Sequence, residues 1–449
     1  MKPSLFRPFL LAACVIAGLL LLGLLPEWGV GGWQSKPARL LSDLAPADSA
    51  DTASAAAVVP VSADSCKPGV TCISDFAPDT IYNMEWFYAA LDEAATRPVR
   101  IAFVGDSFIE ADILTDALRD LLQARYGGSG PGFVTIDHVA VAGRQTITQR
   151  RSGFEMHSAV DRQHSVSLPG LSGYYFVHQG GGRVELQGNA EYSPRLARAD
   201  VSQFLVLNHA APLTLTATPA GGAPQSFTLG ASPALQSATL TAPMAGITWT
   251  LTGGAGAVAY GLTLDAKTGI ALDNLSLRGS TGLTIPAIPA DHLRRLDDVR
   301  HYDLVVLQYG LNVMARGKRD YSAYATQVAR MVTHLRAAMP RTAFLVVGVG
   351  DRGGKLSTGE VGTLPEVVPL LEAQADGAAQ AGAAFWNTYA AMGGSGAMVQ
   401  FANAKPPLAA RDYTHISEEG GKRIARLLYD ALVWGHELHR LKNNASQPQ

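Results

Sequence analysis

The apolar and polar positions divide the chain into stretches of different kinds. Residues 8–26, "PFLLAACVIAGLLLLGLLP", carry no charge. That run is close to the ~20 residues that cross a bilayer. Further on, "VRIAFVGD" (99–106) is a short continuous apolar run. Such runs are strands buried on both faces of a parallel sheet. Directly after it, Ile109, Ile113, Leu114, Ala117, Leu118, Leu121 and Leu122 recur at spacings of three and four. This predicts an amphipathic helix that follows the strand at once and ends at Gly127 and Gly128. The style returns after residue 268. "YDLVVLQYG" and "TAFLVVGVG" read as buried strands, and "YSAYATQVARMVTHLRAAMP" as a helix stopped by Pro340. "LLEAQADGAAQAGAAFW" supplies a helix and a strand entry, and "GGKRIARLLYDALVWGHELHRL" the last helix.

Residues 166–268 differ. "LTLTATPAGG", "SATLTAPMAGITWTLTGG" and "VAYGLTL" alternate between apolar and polar positions, with Gly and Pro turns at short intervals. That predicts an all-β sandwich. Strand–helix alternation on both sides of it predicts one α/β domain interrupted by an inserted β domain. The expected divisions are a membrane segment at 1–28 and a tether with a small Cys loop at 29–75. The α/β domain follows in two parts, 76–165 and 269–440, around the insert at 166–268. A disordered tail closes the chain at 441–449.

Charge and cysteine usage narrow the possibilities. A formal net charge of −2 over 449 residues gives no basic face for nucleic acid. Lys2 and Arg7 precede the apolar segment. They favour an inner-membrane signal anchor with the remainder exported to the periplasm or cell surface. A cleaved signal peptide is the alternative. "LAAC", ending at Cys14, imitates a lipoprotein processing site, but apolar residues continue well past it. Stretches rich in Ala, Ser, Asp and Pro, such as "PADSADTASAAAVVPVSADS", bury little surface and read as a tether. Cys66 and Cys72 lie in "SCKPGVTC". Export favours a local disulfide between them over two free thiols, and the spacing is not that of a Cys-x-x-Cys redox pair.

The candidate chemistry begins with Ser107 in "FVGDSFIEAD". It sits at the carboxyl end of a predicted strand, the edge where open α/β sheets place their sites. Two readings fit: a nucleophile, or an N-cap for the following helix. His415 in "ARDYTHISEEGG" has Asp412 three residues before it. Such a loop can orient a histidine base, and Asp412 alone can equally cap the final helix. Asn312 in "LQYGLN" and Gly279 in "NLSLRGSTG" could donate to an oxyanion, with Gly282 competing for the place of Gly279. Asp106 reads as a turn residue, and Glu110 and Asp112 as first-turn helix acids. "HELH" at 436–439 lacks a third ligand and reads as a solvated helix face, so no metal or cofactor is expected.

"GDS", a block glycine, "GLN" and "DYTH" occur here in the order of the SGNH (GDSL-like) hydrolases, and the chain resembles that family over about 250 residues. The resemblance implies a flavodoxin-like three-layer sandwich with a parallel sheet. It implies Ser107 as nucleophile, His415 as base and Asp412 as its orienting group. The oxyanion hole would come from the Ser107 and Gly279 N–H groups and the Asn312 side chain. "GDSFIEAD", "LQARYGGSGPGFV", "DRGG", "FWNTYAAMGGSGAM" and "DYTHISEEGG" look like exported bacterial members with an inserted, jelly-roll-like β domain. That group includes peptidoglycan O-acetylesterases. Two positions depart from many relatives: Phe108 follows the serine, and Val313, not an acid, follows Asn312. The implied function is removal of O-acetyl groups from an extracytoplasmic glycan, peptidoglycan or exopolysaccharide. Acyl transfer to a glycan and an inactive glycan-binding scaffold are the alternatives. Phe108 and Arg352 are expected to touch substrate. Tyr174, Tyr175, Phe176 and Trp249 of the insert could stack on sugars or fill its core.

Overall fold

A computed structural model describes residues 66–445, apart from 79, 137–140, 142, 162–163 and 210, and two short strands before them. The expected membrane segment, most of the tether and the end of the tail (446–449) lie outside the described residues. Among the described residues no helix is long and apolar enough to cross a membrane. The chain divides into two compact units, residues 1–58 and 59–449. In the first, Gly29–Val30 pairs antiparallel with Trp33–Gln34.

In the second unit a six-stranded sheet runs in the order β12–β2–β13–β14–β17–β1. These are Gly269–Ser276, Pro98–Gly105, Leu304–Gln308, Ala343–Val347, Ala384–Trp386 and Ile73–Asp75. The first five are mutually parallel, and β1 pairs antiparallel at the edge. Counting only parallel strands, the spatial order is 2-1-3-4-5. The chain reverses its direction of travel beside β2, and that switch point opens a crevice at the carboxyl edge.

Both faces of this sheet are covered, as its unbroken apolar runs require. Ala102 and Val104 face a core shared with α3 (Ala290–Arg300), α4 (Ser322–Ala338) and α5 (Val367–Gln380). Ile101 and Phe103 face the opposite core, shared with α1 (Met84–Asp92), α2 (Thr115–Tyr126) and α8 (Glu418–Ala445). The alternation places neighbouring residues of one strand in two different cores.

β15 (Gly353–Lys355) and β16 (Val361–Thr363) pair in a separate two-stranded sheet, while nine further strands form one antiparallel assembly. Its main path is β8–β7–β10–β5–β11–β6–β9, that is Gln225–Leu229, Leu213–Pro219, Gly246–Gly253, Tyr174–Gly188, Val258–Leu264, Ala199–Leu207 and Gln236–Met244. β3 (Gly132–Thr135) joins β11 and β4 (Ile147–Ser158) joins β5. The end strands β8 and β9 come into contact, so the assembly curls around its own core. The antiparallel region therefore starts near residue 132, not 166. In β4 few side chains are buried, so its charged run, "QRRSGFEMH", lacks the Thr- and Leu-rich signature of the later strands. Tyr174, Tyr175, Phe176 and Trp249 are all buried. They fill the interior and offer no sugar-stacking face.

Three buried charges fasten the two sheets together. Arg300, at the end of α3, donates through Nε to Asp273 Oδ2 (2.8 Å) and through Nη2 to Asp273 Oδ1 (2.7 Å). It also pairs with Asp265, just past β11. Asp273 in β12 accepts from the Tyr302 hydroxyl (2.8 Å) and the Phe133 amide (2.7 Å). Burial pushes the Asp273 pKa up, but Arg300 and these donors outweigh it and hold the carboxyl below its ordinary value.

Cys66 and Cys72 are joined by a disulfide, Cα to Cα 5.8 Å. The neighbouring Thr71 carbonyl accepts from Trp386 Nε1 at 3.0 Å. A loop this short gives a modest chain-entropy contribution. Replacing both cysteines by Ala should cost about 2 kcal/mol, read as a lowered denaturation midpoint under oxidising conditions. An unchanged midpoint would show that packing alone fixes the loop.

Candidate active site

The carboxyl edge gathers the candidate residues from separate parts of the chain. Ser107 lies two residues past β2, Gly279 three past β12 and Asn312 four past β13. His415 lies in the loop before α8. Gly105 is obligatory at the end of β2: a Cβ there would stand 2.7 Å from the Gln308 carbonyl oxygen of the neighbouring strand. Gly310 turns the chain after β13 at φ 127°, where a Cβ would meet Val349 and Gln374.

The segment after Ser107 differs from the expectation. No α-helix starts there. The Ile109 amide donates to the Asp106 carbonyl and the Glu110 amide to the Ser107 carbonyl, both at 3.3 Å. A short 3-10 turn occupies Glu110–Asp112, and α2 begins only at Thr115. Ala111 and Asp112 have φ of 55° and 64°, which breaks any continuous helix. So Ser107 is no N-cap, and the N-terminus of α2 is not directed at it by the chain. Asp112 is likewise no surface acid of a first helical turn. It is buried, and it accepts from Arg144 Nε (2.8 Å), Thr146 (2.6 Å), Thr115 (2.8 Å) and Asn274 (2.9 Å). Burial pushes its pKa up, but Arg119, Arg144 and these donors hold it well below the usual carboxylate range. Asn274 Nδ2 also donates to the Ile109 carbonyl at 2.7 Å. This knot pins the turn that presents Ser107.

His415 Nδ1 lies 2.7 Å from Asp412 Oδ2. Asp412 Oδ1 accepts from the backbone amides of Thr414 (3.0 Å) and His415 (3.1 Å). Partial burial pushes the Asp412 pKa up, but the His415 side chain and the two amides outweigh it, so the carboxyl sits below its ordinary value. With the hydrogen on Nδ1 facing Asp412, Nε2 is left to act as a base. A positive charge on His415 lowers the pKa of Asp106, the residue before Ser107. The pair is open: the side chains are 61% and 51% exposed.

The donor side is equally specific. Among the described residues the N–H groups of Ser107 and Gly279 have no protein acceptor. The Gly282 amide is used by the Ser280 hydroxyl at 3.1 Å. That difference favours Gly279 over Gly282 as an available donor. Asn312 Nδ2 donates to Asp106 Oδ2 and to the Ser280 carbonyl, both at 3.0 Å. Both of its amide hydrogens are therefore engaged in this state.

Asp106 is buried beneath the turn. Burial pushes its pKa up to about 6, against the lowering effects of the Phe108 amide, Asn312 and His415. A raised folded-state pKa contributes stability that is whole below about pH 4 and is lost as pH rises through about 6. Wild type should therefore lose thermal stability between those values relative to Asp106→Asn. Asp116 is pushed to about 6 as well, by burial and by the Asp112 charge. The difference between the two proteins, not the wild-type curve alone, isolates Asp106. Parallel pH profiles would remove Asp106 as the cause.

Phe108, expected at the entrance, is 5% exposed and packs in the core with Ile109. It is a core residue because the turn directs it inward. Arg352 is placed as a brace. Its Nε donates to Thr414 Oγ1 (3.2 Å) and its Nη1 to the Leu311 carbonyl (3.4 Å), joining the His415 and Asn312 loops. The "HELH" histidines are not solvated. His436 is buried between Tyr126 Oη (2.9 Å) and Asp92 (3.0 Å), and buried His439 contacts Glu85 and Asn443. Among the described residues no cluster of His, Cys, Asp and Glu could hold a metal ion. A cavity of about 610 Å³ lies elsewhere, lined by residues of α2 and α8 and by Tyr192. The candidate site is an open edge, and none of its residues line that cavity.

Residues 240–423 match the GDSL-like Lipase/Acylhydrolase family. That stretch contains Gly279, Asn312, Asp412 and His415 but not Ser107. No curated protein matches the chain. Among solved structures, one described as a peptidoglycan O-acetylesterase in action aligns with a TM-score of 0.67 at 22% identity, over 82% of this chain and 99% of that one. This likeness shows the fold. A family two carbohydrate esterase from Cellvibrio japonicus aligns at 11% identity and TM-score 0.27, over 64% of this chain and 99% of that one. A mutant family 29 carbohydrate binding module complexed with mannohexaose aligns at 14% identity and TM-score 0.20, over 31% of this chain and 92% of that one.

Proposed function

We propose, from the premise that residues 240–423 belong to the GDSL-like lipase/acylhydrolase family, that this protein is an extracytoplasmic serine esterase. Its substrate is an O-acetylated cell-envelope glycan, with peptidoglycan the first candidate and an exopolysaccharide the second. The observation that carries the reading is the Asp412–His415 pair beside the Gly-Asp-Ser turn, with free N–H groups at Ser107 and Gly279. The fold shared with a structure described as a peptidoglycan O-acetylesterase supports the glycan.

The reaction follows from these groups. His415 Nε2 takes the Ser107 proton as Oγ attacks the ester carbonyl. Asp412 holds the imidazole and stabilises its charge. The Ser107 and Gly279 N–H groups receive the developing oxyanion. Asn312 becomes a third donor by exchanging its bond to Asp106 or Ser280 for one to the oxyanion. His415 then gives its proton to the departing sugar oxygen as the bond from that oxygen to the carbonyl carbon breaks, and the acetyl group stays on Ser107 Oγ as an ester. Water, activated by the same histidine, releases acetate.

Exposure supports hydrolysis over transfer. With His415 61% exposed, water reaches the acyl-serine, so hydrolysis is favoured over passing the acyl group to a second glycan. An open edge also admits a polymer. The N-terminal apolar segment supplies export, with the inner membrane as its partner if it remains uncleaved. Incubation with an alkyl fluorophosphonate tests the nucleophile. One adduct on the Ser107 peptide by mass spectrometry is expected. No adduct, or labelling that persists in Ser107→Ala, would overturn the assignment.

A further inference from the structure

Glu110 and Arg278 join the two segments that carry the candidate oxyanion donors. Glu110 lies three residues after Ser107, and its amide donates to the Ser107 carbonyl. Arg278 immediately precedes Gly279. The guanidinium meets the carboxylate with both prongs: Nε to Oε1 at 3.0 Å and Nη2 to Oε2 at 2.5 Å. The Leu277 amide also ties the two segments, donating to the Gly105 carbonyl at 2.9 Å. Among the described residues the Ser107 and Gly279 N–H groups have no protein acceptor.

Two asparagines brace the same region. Asn274 fixes the Ser107 turn through the Ile109 carbonyl. Asn312 bridges the two segments from a third loop, donating to Asp106 Oδ2 and to the Ser280 carbonyl. Glu110 is well seated, with its side chain 10% exposed, while Arg278 is 67% exposed. An exposed ion pair contributes little to stability. A two-pronged arginine–carboxylate pair nevertheless fixes geometry, because the planar fork allows few arrangements.

We propose that Glu110 and Arg278 form a positioning pair that sets the spacing between the Ser107 and Gly279 N–H donors, a role that rests on the esterase reading above. The pair touches no reacting atom. It acts by keeping two backbone donors converged on one oxyanion, so its loss is felt in the transition state more than in substrate binding.

The test measures kcat and KM of the full chain on p-nitrophenyl acetate for Glu110→Gln, Arg278→Met, both together, and Arg278→Lys. Each single change should lower kcat about tenfold, since small misplacements at a reacting centre cost that much or more. KM should stay within about twofold of wild type. The double variant should be no worse than the poorer single, because either change breaks the same contact. Arg278→Lys should not restore kcat, since it keeps the charge and loses the fork. Thermal midpoints near wild type would show that folding is intact. Unchanged kcat in the singles, or fully multiplicative losses in the double, would overturn the proposal. A raised KM with unchanged kcat would overturn it too, assigning Arg278 to substrate binding. A wild type without Ser107-dependent activity is a different failure: it removes the esterase reading, and the pair's role with it.

Discussion

Ser107→Ala should lower kcat for a small acetyl ester by on the order of 10⁴-fold or more, with little change in KM. Without the hydroxyl no acyl-serine forms, and the remaining donors act only on direct attack by water. His415→Ala should lower kcat to a similar extent, and the double variant should fall no further, because nucleophile and base act as one unit. Asp412→Asn should lose less. It keeps a hydrogen-bonding partner near Nδ1 but loses the charge that stabilises the imidazolium. All three should fold, since Asp412 and His415 are exposed and Ser107 is only half-buried. Wild-type rates in Ser107→Ala would contradict the nucleophile. Wild-type rates in His415→Ala alone would demand a different base at the same edge.

Arg300→Leu carries the largest expected effect on stability. Arg300 neutralises Asp265 and Asp273, all three buried where the parallel and antiparallel sheets meet. Removing the cation strands two carboxylates in a dry interior, a loss of about 3–5 kcal/mol. The expected result is a clearly lowered denaturation midpoint. Arg300→Leu should be least harmful at acid pH, where both carboxyls can be protonated. Combining it with Asp265→Asn and Asp273→Asn should recover much of the loss, because the stranded charge is then gone. A single variant as stable as wild type would show that water reaches these carboxylates.

The principal strands of the parallel sheet and the gathering of candidate residues at its carboxyl edge were legible because each signal is local. "VRIAFVGD", "YDLVVLQYG" and "TAFLVVGVG" end in the turns that carry Ser107 and Asn312 or lead to Arg352. Asp412 and His415 meet across three residues. What stayed hidden depends on distant partners. Asp112 reads as a helix acid until Asn274 and Arg144 are brought to it. Glu110 meets Arg278 from 168 positions away. His436 and His439 lie on a helix whose polar face would ordinarily be solvated. Here Asp92 and Glu85 of α1 and Tyr126 of α2 cover it. The early start of the antiparallel assembly was concealed for a related reason. β4 buries few side chains, so its composition resembles a surface loop. Phe108 shows that a residue next to a candidate nucleophile can belong wholly to the core.

The central claim is that Ser107 delivers acetyl groups from a cell-envelope glycan to water. Its most direct test is acetate release from purified O-acetylated peptidoglycan by wild type and by Ser107→Ala, with an O-acetylated exopolysaccharide in parallel. The account predicts steady release by wild type from at least one glycan and none above background by Ser107→Ala. Equal release by both proteins, or none from either glycan while a small acetyl ester is still cleaved, would contradict it.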